Sequence, residues 1–333
     1  MRVLVTGGAG FVGSNFVHYL RQNYPQYEIV IVDLLTYAGN LENLKNPENR
    51  AQKFQKHQDR NHHKAFRFIK ADIVDKASLR PIFNEHIDAI INFAAESHVD
   101  RSIRYPSLFV KTNIMGTQTL LDLAREFKVG KYIQISTDEV YGSLGADGLF
   151  TEETPLAPNS PYAASKASAD LLVRAYHETY GLDVNITRCS NNYGPYQFPE
   201  KLIPFMLFKA LSNHALTVYG DGLNVRDWLH VEDHCRAIDL VLHNGKSGEV
   251  YNIGGNNEYT NLQVIRTLLR ELKKPESLIT HIEDRLGHDR RYAIDASKIR
   301  KELGWTPKYQ YENGIKQTIK WYLNNEEWLR KKA

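Results

Sequence analysis

Short apolar runs recur along the first half of the chain, and stretches with helical spacing separate them. Val3-Leu4-Val5-Thr6 breaks into glycines and reads as a buried strand. Phe11 to Tyr24 then carries Phe11, Phe16, Val17 and Leu20 at helical spacing. Glu28 to Asp33 is a second buried run. Phe66–Lys70, Ala89–Phe93, Lys131–Ile135 and Val184–Thr187 continue the strand series, with helices predicted at 75–86, 107–128 and 161–180. This alternation predicts an α/β fold, a Rossmann-type doubly wound parallel sheet covered on both faces. After residue 190 Pro, Gly and Tyr become frequent and the strands shorten; helices are predicted at 201–212, 232–243, 261–273 and 312–325. Two units are expected: a sheet domain over 1–190, and a smaller mixed α/β unit over 191–333 that closes on the carboxyl edge of the sheet. The chain is free to cross back between them.

Composition adds exclusions. With 42% hydrophobic and 24% charged residues, the chain reads as soluble and globular. A net charge of +3 over 333 residues argues against a nucleic-acid partner. Cys189 and Cys235 are too few for a disulfide framework and read as buried free thiols. No apolar run reaches about 18 residues, so no membrane span is expected. The first strand begins at Arg2, which leaves no room for a signal peptide, and the cytoplasm is the expected location. Lys45 to Lys64 is polar with few apolar anchors, a solvated loop or exposed helix. His62-His63 within it has no ligand geometry, so no metal is expected.

Gly7, Gly10 and Gly13 stand in a G-x-x-G-x-x-G spacing between the first strand and the first helix. Gly7 permits the tight turn, Gly10 lets the backbone approach a pyrophosphate, and Gly13 lets the helix pack close to the sheet. The anion would sit on free N–H groups at the helix N-terminus. Asp33 ends the second strand, where a carboxylate would bind ribose hydroxyls. It would repel a 2′-phosphate, so NAD is favoured over NADP.

Tyr162 and Lys166 lie four apart and share a helix face. The ammonium, together with a positive nicotinamide, is expected to favour the phenolate, so that Tyr162 takes a proton from a sugar hydroxyl while hydride leaves the same carbon. In a chain with 19 Tyr such a pair arises by chance, but this one opens a helix soon after Ser136-Thr137 ends a strand. Asp138-Glu139 follow Thr137 directly. A plain dehydrogenase needs no such carboxylates; an enzyme that also expels water needs an acid and a base.

The arrangement resembles the extended short-chain dehydrogenase/reductase family, whose triad Thr137, Tyr162 and Lys166 match. Asp72-Ile73 match its adenine contact, and Phe93-Ala94-Ala95-Glu96 the strand beside its cofactor. The resemblance implies NAD contacts from Gly7, Gly10, Phe11, Val12, Gly13, Asp33, Leu34, Thr36, Asp72, Ile73, Phe93, Ala94, Ala95, Thr112, Tyr162, Lys166 and Asn192. Longer matches run through Ala94–Ile103, Ser136–Gly142, Asn191–Pro195, Phe198–Pro204, Asn224–Trp228 and Arg285–Asp289. They resemble the branch that dehydrates dTDP-glucose by oxidation at C4, elimination across C5–C6 and hydride return to C6. In that chemistry Tyr162, relayed by Thr137, takes the 4-hydroxyl proton, Glu139 takes the C5 proton, and protonated Asp138 gives a proton to the departing 6-hydroxyl. The cofactor is regenerated and need not leave. Ser97, Thr137, Asn191, Glu200, Lys201, Leu202, Arg226, Asn261, Arg285 and His288 match positions that hold the nucleotide sugar.

Two features depart from the branch: Leu286 stands where Pro is usual, and the polar 45–64 segment is longer. UDP-glucose 4,6-dehydratase and nucleotide-sugar 4-epimerase are the alternatives. Epimerases lack the Asp-Glu pair, decarboxylases show Thr-Ser-Glu there, and GDP-mannose dehydratases lack the Asp and usually use NADP. A non-catalytic NAD-binding protein would need neither an intact triad nor the acid–base pair. The resemblance also implies a homodimer, through a four-helix bundle built from the helices at 107–128 and 161–180.

Overall fold

The computed structural model describes residues 1–45 and 66–332, so the polar 45–64 segment, apart from Lys45, lies outside the described residues, as does the His62-His63 pair. Seven strands form the main sheet: β1 (Arg2–Thr6), β2 (Glu28–Asp33), β3 (Arg67–Lys70), β4 (Ala89–Asn92), β5 (Lys131–Thr137), β6 (Val184–Cys189) and β10 (Val250–Ile253). Their order is β10-β6-β5-β4-β1-β2-β3, and every pairing is parallel. The order reverses between β1 and β4, and a crevice for ligands opens there, beyond the carboxyl ends of the strands.

Both faces are covered, which is why the strands read as unbroken apolar runs. Helices α1 (Phe11–Asn23), α8 (Val231–Asn244) and α10 (Ser297–Leu303) cover one face, with a core that includes Phe16, Leu20, Ile238 and Trp305. Helices α2 (Lys76–Phe83), α5 (Gly116–Glu126) and α6 (Pro161–Tyr180) cover the other, around Leu79, Leu120, Leu123 and Val173. Helix starts follow their caps. Asp75 accepts from Ala77 N and Ser78 N ahead of α2. Ser160 accepts from Ala163 N ahead of α6, whose first residue is Pro161.

The predicted helix over 107–128 is broken. A short α4 (Pro106–Phe109) runs into a π-helical turn, Val110–Met115, before α5 begins. The cause is tertiary. Asn113 accepts from Glu96 N at 2.9 Å and donates to Glu96 O at 3.0 Å and Ser165 Oγ at 2.8 Å. The extra residue in this turn lets one buried amide pin the segment after β4 and helix α6 together.

The chain after residue 190 builds a second core but does not stay apart from the first sheet. Strands β7 (Asn191–Tyr193), β9 (Val225–His230) and β11 (Glu258–Thr260) form one small sheet, and β8 (Leu216–Tyr219) pairs with β12 (Ile279–Ile282). Against them pack α7 (Leu202–Leu211), α9 (Asn261–Glu271), α11 (Tyr311–Asn324) and α12 (Glu326–Lys332), around Leu207, Trp228, Leu268 and Tyr322. Between these elements α8 and β10 return to the main sheet. Both cysteines are free; Cys235 is buried and Cys189 half-buried. Among the described residues no helix is long and apolar enough to cross a membrane, and no cluster of His, Cys, Asp or Glu could hold a metal ion.

Candidate active site

The crevice at the carboxyl edge holds two adjoining chambers. The inner one, of about 320 Å³, lies over β1, β2, β4 and β5. The outer one, of about 690 Å³, lies toward β8, β9 and α7. Glu139, Asn191, Phe198, Glu200 and Lys201 line both. Gly7, Gly10, Phe11, Val12, Gly13, Asp33, Leu34, Thr36, Asp72, Ile73, Phe93, Ala94, Ala95, Ser97, Thr112, Thr137, Asp138, Tyr162, Lys166 and Asn192 line the inner chamber. Leu202, Arg226, Asn261, Arg285 and His288 line the outer one. Every residue named from the sequence as a catalytic, cofactor or substrate candidate therefore reaches a chamber wall.

The glycine turn fits a dinucleotide. Gly7 has φ +65°, and a Cβ there would lie 2.6 Å from Ala94 N, so the turn after β1 rests directly on the end of β4. A Cβ on Gly13 would lie 2.3 Å from Gly7 O. Gly7, Gly10 and Gly13 all lie on the chamber wall at the start of α1, where the backbone could meet a phosphate. Asp33 accepts from Ala9 N at 2.9 Å and Leu35 N at 2.8 Å, which ties the carboxylate to that same turn. Burial raises its pKa and the two N–H groups oppose the rise.

The catalytic candidates sit where β5 ends. Thr137 caps a 3₁₀ turn over Asp138–Tyr141, accepting from Glu139 N at 3.3 Å, while its hydroxyl donates to Asp138 Oδ1 at 3.2 Å. Gly142, at φ +91°, turns the chain away under Ala157. The two adjacent carboxyls thus meet different surroundings. Asp138 is 1% exposed, and its Oδ2 has no hydrogen-bond partner. Its pKa is pushed well above the carboxylate range, first by burial, then by the negative Glu139 and Asp227. Glu139 is also raised by burial, but Arg285, Lys201 and Arg226 all pull it back. Both carboxyls are raised, but negative neighbours reinforce the rise at Asp138 while three cations restrain it at Glu139.

Tyr162 stands in the first turn of α6 and faces the same space. The expected drop toward phenolate is not produced by the protein's own field. Burial and the negative Glu139 raise the phenol well above its ordinary value, and a hydrogen bond with Thr137 works against the rise. Lys166 is buried, and its Nζ donates to Ile135 O at 2.5 Å. Burial lowers its pKa, and the negative Asp170 opposes that. Cys189, beside them, is a thiol pushed up to about 12 by burial, so it stays protonated.

In the outer chamber Arg226 is 5% exposed and lies over the Tyr292 ring at 4.2 Å. It donates to Asp289 O at 3.0 Å and Val225 O at 2.7 Å. Arg285 pairs with Asp100 at 3.7 Å, and His288 Nδ1 meets Asp284 Oδ1 at 2.6 Å. Leu286 is 79% exposed and outside both walls, so its replacement of the usual Pro leaves Arg285 and His288 on the wall. Sequence reasoning missed Tyr37, His98, Tyr219, His234 and Tyr292, all wall residues. His234 is fully buried, and its Nδ1 meets Asn192 Oδ1 at 2.9 Å, which orients that amide. It stands alone near the start of α8, and no local pattern marks it.

A profile of the family described as GDP-mannose 4,6 dehydratase matches residues 4–318. The dTDP-glucose 4,6-dehydratase of Xanthomonas campestris pv. campestris strain B100 is 51% identical over 346 residues, spanning 98% of this chain and 94% of that protein. The chain belongs to the dTDP-glucose 4,6-dehydratase family. DesIV, the dTDP-glucose 4,6-dehydratase of Streptomyces venezuelae, solved with NAD and TYD bound, superposes with a TM-score of 0.91 at 50% identity and 98% coverage of each chain. A second member of the family, from Bacillus anthracis and solved in complex with NAD, superposes at 0.89 with 53% identity over the whole of both chains.

Proposed function

We propose that this chain is a dTDP-glucose 4,6-dehydratase that holds NAD in the inner chamber and the nucleotide sugar across the seam between the two. One observation carries the reading: Asp138 and Glu139, adjacent in the chain, line the chamber beside Tyr162 in different charge surroundings, chiefly negative neighbours for Asp138 and chiefly cations for Glu139. Oxidation and re-reduction at one carbon need only Tyr162 and Lys166; loss of water needs the other two. NAD, when bound, supplies a hydride acceptor and a positive ring that draws the phenol toward phenolate.

Tyr162 takes the proton of the 4-hydroxyl, with Thr137 in hydrogen-bond contact. Lys166 orients the cofactor side of the site. Once C4 is a ketone the C5 proton is acidic, and Glu139 removes it. Asp138, still protonated because of burial and its negative neighbours, passes a proton to the departing 6-hydroxyl. Arg226, Lys201 and Arg285 bring positive charge to the outer chamber, which suits a diphosphate. Ser97, Asn191, Glu200, Leu202, Asn261 and His288 complete the sugar and nucleoside contacts, and His234 holds Asn192 toward the cofactor.

The reading carries a cytoplasmic location, because both ligands are multiply charged and do not cross membranes unaided. It also carries a homodimer. The surface from α3 (Val99–Arg104) through α6 exposes Ile103, Tyr105, Leu108, Val110, Met115 and Leu171, an apolar set that a second copy would cover. Sedimentation at micromolar concentration should give the dimer mass, and a monomer would refute that part.

The function is tested with purified protein and no added cofactor. Proton NMR should show a new methyl doublet beside a C4 ketone or its hydrate from dTDP-glucose, and less from UDP-glucose. Conversion to a galactose configuration without a methyl signal would instead make the chain an epimerase.

A further inference from the structure

Tyr37 lies where four chain segments meet. Its loop, after β2, also carries Asp33, Leu34 and Thr36 of the inner chamber. Its hydroxyl donates to Glu200 Oε1 at 3.0 Å, and its ring meets Phe198 edge-on at 5.7 Å. Glu200 and Phe198 belong to the segment before α7 and line both chambers. From behind, the Arg101 guanidinium of α3 covers the Tyr37 ring at 3.9 Å, and its NH1 stands 3.4 Å from Glu96 Oε2. The loop has little slack. Leu35 has φ +57°, and a Cβ on Gly39 would come within 2.9 Å of Asp33 Oδ1 and the Leu35 Cα. A displacement of Tyr37 is therefore transmitted to Asp33.

We infer that Tyr37 is a positioning residue that clasps the cofactor-side loop to the substrate-side segment 198–201, so that the two chambers hold their ligands cooperatively. The cofactor in the inner chamber is retained while the clasp is closed. A nucleoside diphosphate in the outer chamber, bearing on the segment that includes Lys201, holds the clasp closed. By reciprocity the bound cofactor tightens the nucleotide. This rests on the reading of NAD and dTDP-glucose as ligands. It goes beyond that reading in naming a residue that does no chemistry and yet sets how long the cofactor stays.

The experiment measures exchange of bound NAD against labelled NAD in the purified protein, with and without dTDP, in the parent and in Tyr37→Phe, Tyr37→Ala and Arg101→Met. Tyr37→Phe keeps the ring but loses the hydroxyl's hydrogen bonds with the Glu200 carboxylate and Ser97, and should speed exchange about tenfold. Tyr37→Ala should speed it further, and Arg101→Met, which uncovers the ring, should move in the same direction. dTDP should slow exchange in the parent and lose most of that effect in Tyr37→Ala. Thermal midpoints within a few degrees of the parent show that the fold is intact; should Tyr37→Ala fail that check, Tyr37→Phe and Arg101→Met decide. Parental exchange rates in the variants, or an equal effect of dTDP in parent and Tyr37→Ala, would overturn the clasp. If dTDP has no effect even on the parent, the coupling between the chambers is overturned, and faster exchange in the variants would leave Tyr37 only as a residue that holds the cofactor. If dTDP-glucose is dehydrated normally but the variants exchange as the parent does, the clasp alone fails.

Discussion

The two chambers are built on different plans. The inner chamber is made of short contiguous motifs, each at the end of a parallel strand: the glycine turn after β1, Asp33 after β2, Phe93–Ser97 after β4 and Thr137–Glu139 after β5. Parallel strands point their carboxyl ends the same way, so motifs far apart in sequence arrive at one edge without further arrangement. The outer chamber draws on the runs His98–Asp100 and Phe198–Leu202 and on residues from β8, β9, α7, α9 and the 285–292 segment, brought together by the packing of a second core. A site delivered by sheet topology tolerates little change to its backbone. A site delivered by side chains on loops should yield to substitution one contact at a time.

The largest effect that contrast predicts is at Asp138 and Glu139, where the chambers join. Asp138→Asn and Glu139→Gln should each lower kcat about a hundred- to ten-thousand-fold. They should differ in kind. Deuterium exchange at C5 of the sugar, followed by NMR in heavy water, should persist in Asp138→Asn and vanish in Glu139→Gln. Loss of exchange in both, or in neither, would contradict the assigned acid and base.

Next comes Gly13→Ala. The added methyl would fall 2.3 Å from Gly7 O, so it strains the turn itself. A loss of about 1–3 kcal/mol of stability is expected, together with loss of co-purifying NAD. A variant of parental melting temperature with full cofactor would show the inner turn to be more yielding than its geometry indicates.

Arg285→Ala should act mainly on binding. Its side chain makes a 3.7 Å ion pair with Asp100 in the free protein, so the fold has little to lose. KM for dTDP-glucose should rise about tenfold, with a smaller change in kcat confined to the acid limb, which moves up in pH as Glu139 loses its leading cation. An equal loss in kcat would place Arg285 in the transition state and blur the distinction between the chambers.

The smallest effect is on stability. The folded-state pKa of Asp138 is raised above the ordinary 3.8, and that of Glu139 above 4.5. For a raised carboxyl the folded protein binds the proton more tightly than the unfolded chain. Its contribution to stability is therefore whole below the unfolded value and lost as pH rises through the folded one. Asp138→Asn, neutral at every pH, escapes that loss. Its melting temperature should gain on the parent as pH is raised from weakly acidic to alkaline, and a constant difference across that range would refute the buried-acid account. The rate of the parent should fall on the acid side as Glu139 is protonated and on the alkaline side as Asp138 loses its proton.

Much of this was legible in the chain. Six of the seven strands of the sheet showed as apolar runs because the sheet is covered on both faces, and the helix expected over 161–180 is α6; β10 was not read from the sequence. The π-helical turn was not legible, since Asn113 imposes it through partners 17 and 52 positions away. Nor were Tyr37 and His234, which belong to no motif and acquire a role only through Glu200 and Asn192. The state of Tyr162 depends on more than its helix face. The four-residue spacing to Lys166 is local, but the phenol's dominant neighbours are burial and Glu139, and folding alone decides those.

The sequence by itself determined the alternation of strands and helices, the glycine turn and the candidates for acid, base and hydride transfer, because these depend on periodicity, backbone freedom and functional groups carried in short segments. Only the tertiary structure decided that Asp138 keeps its proton while Glu139 is poised to release one, that Arg226 and Arg285 reach the chamber from separate segments, and that Tyr37 joins the two halves of the site. Desolvation and charge proximity act through space, and the chain order records neither.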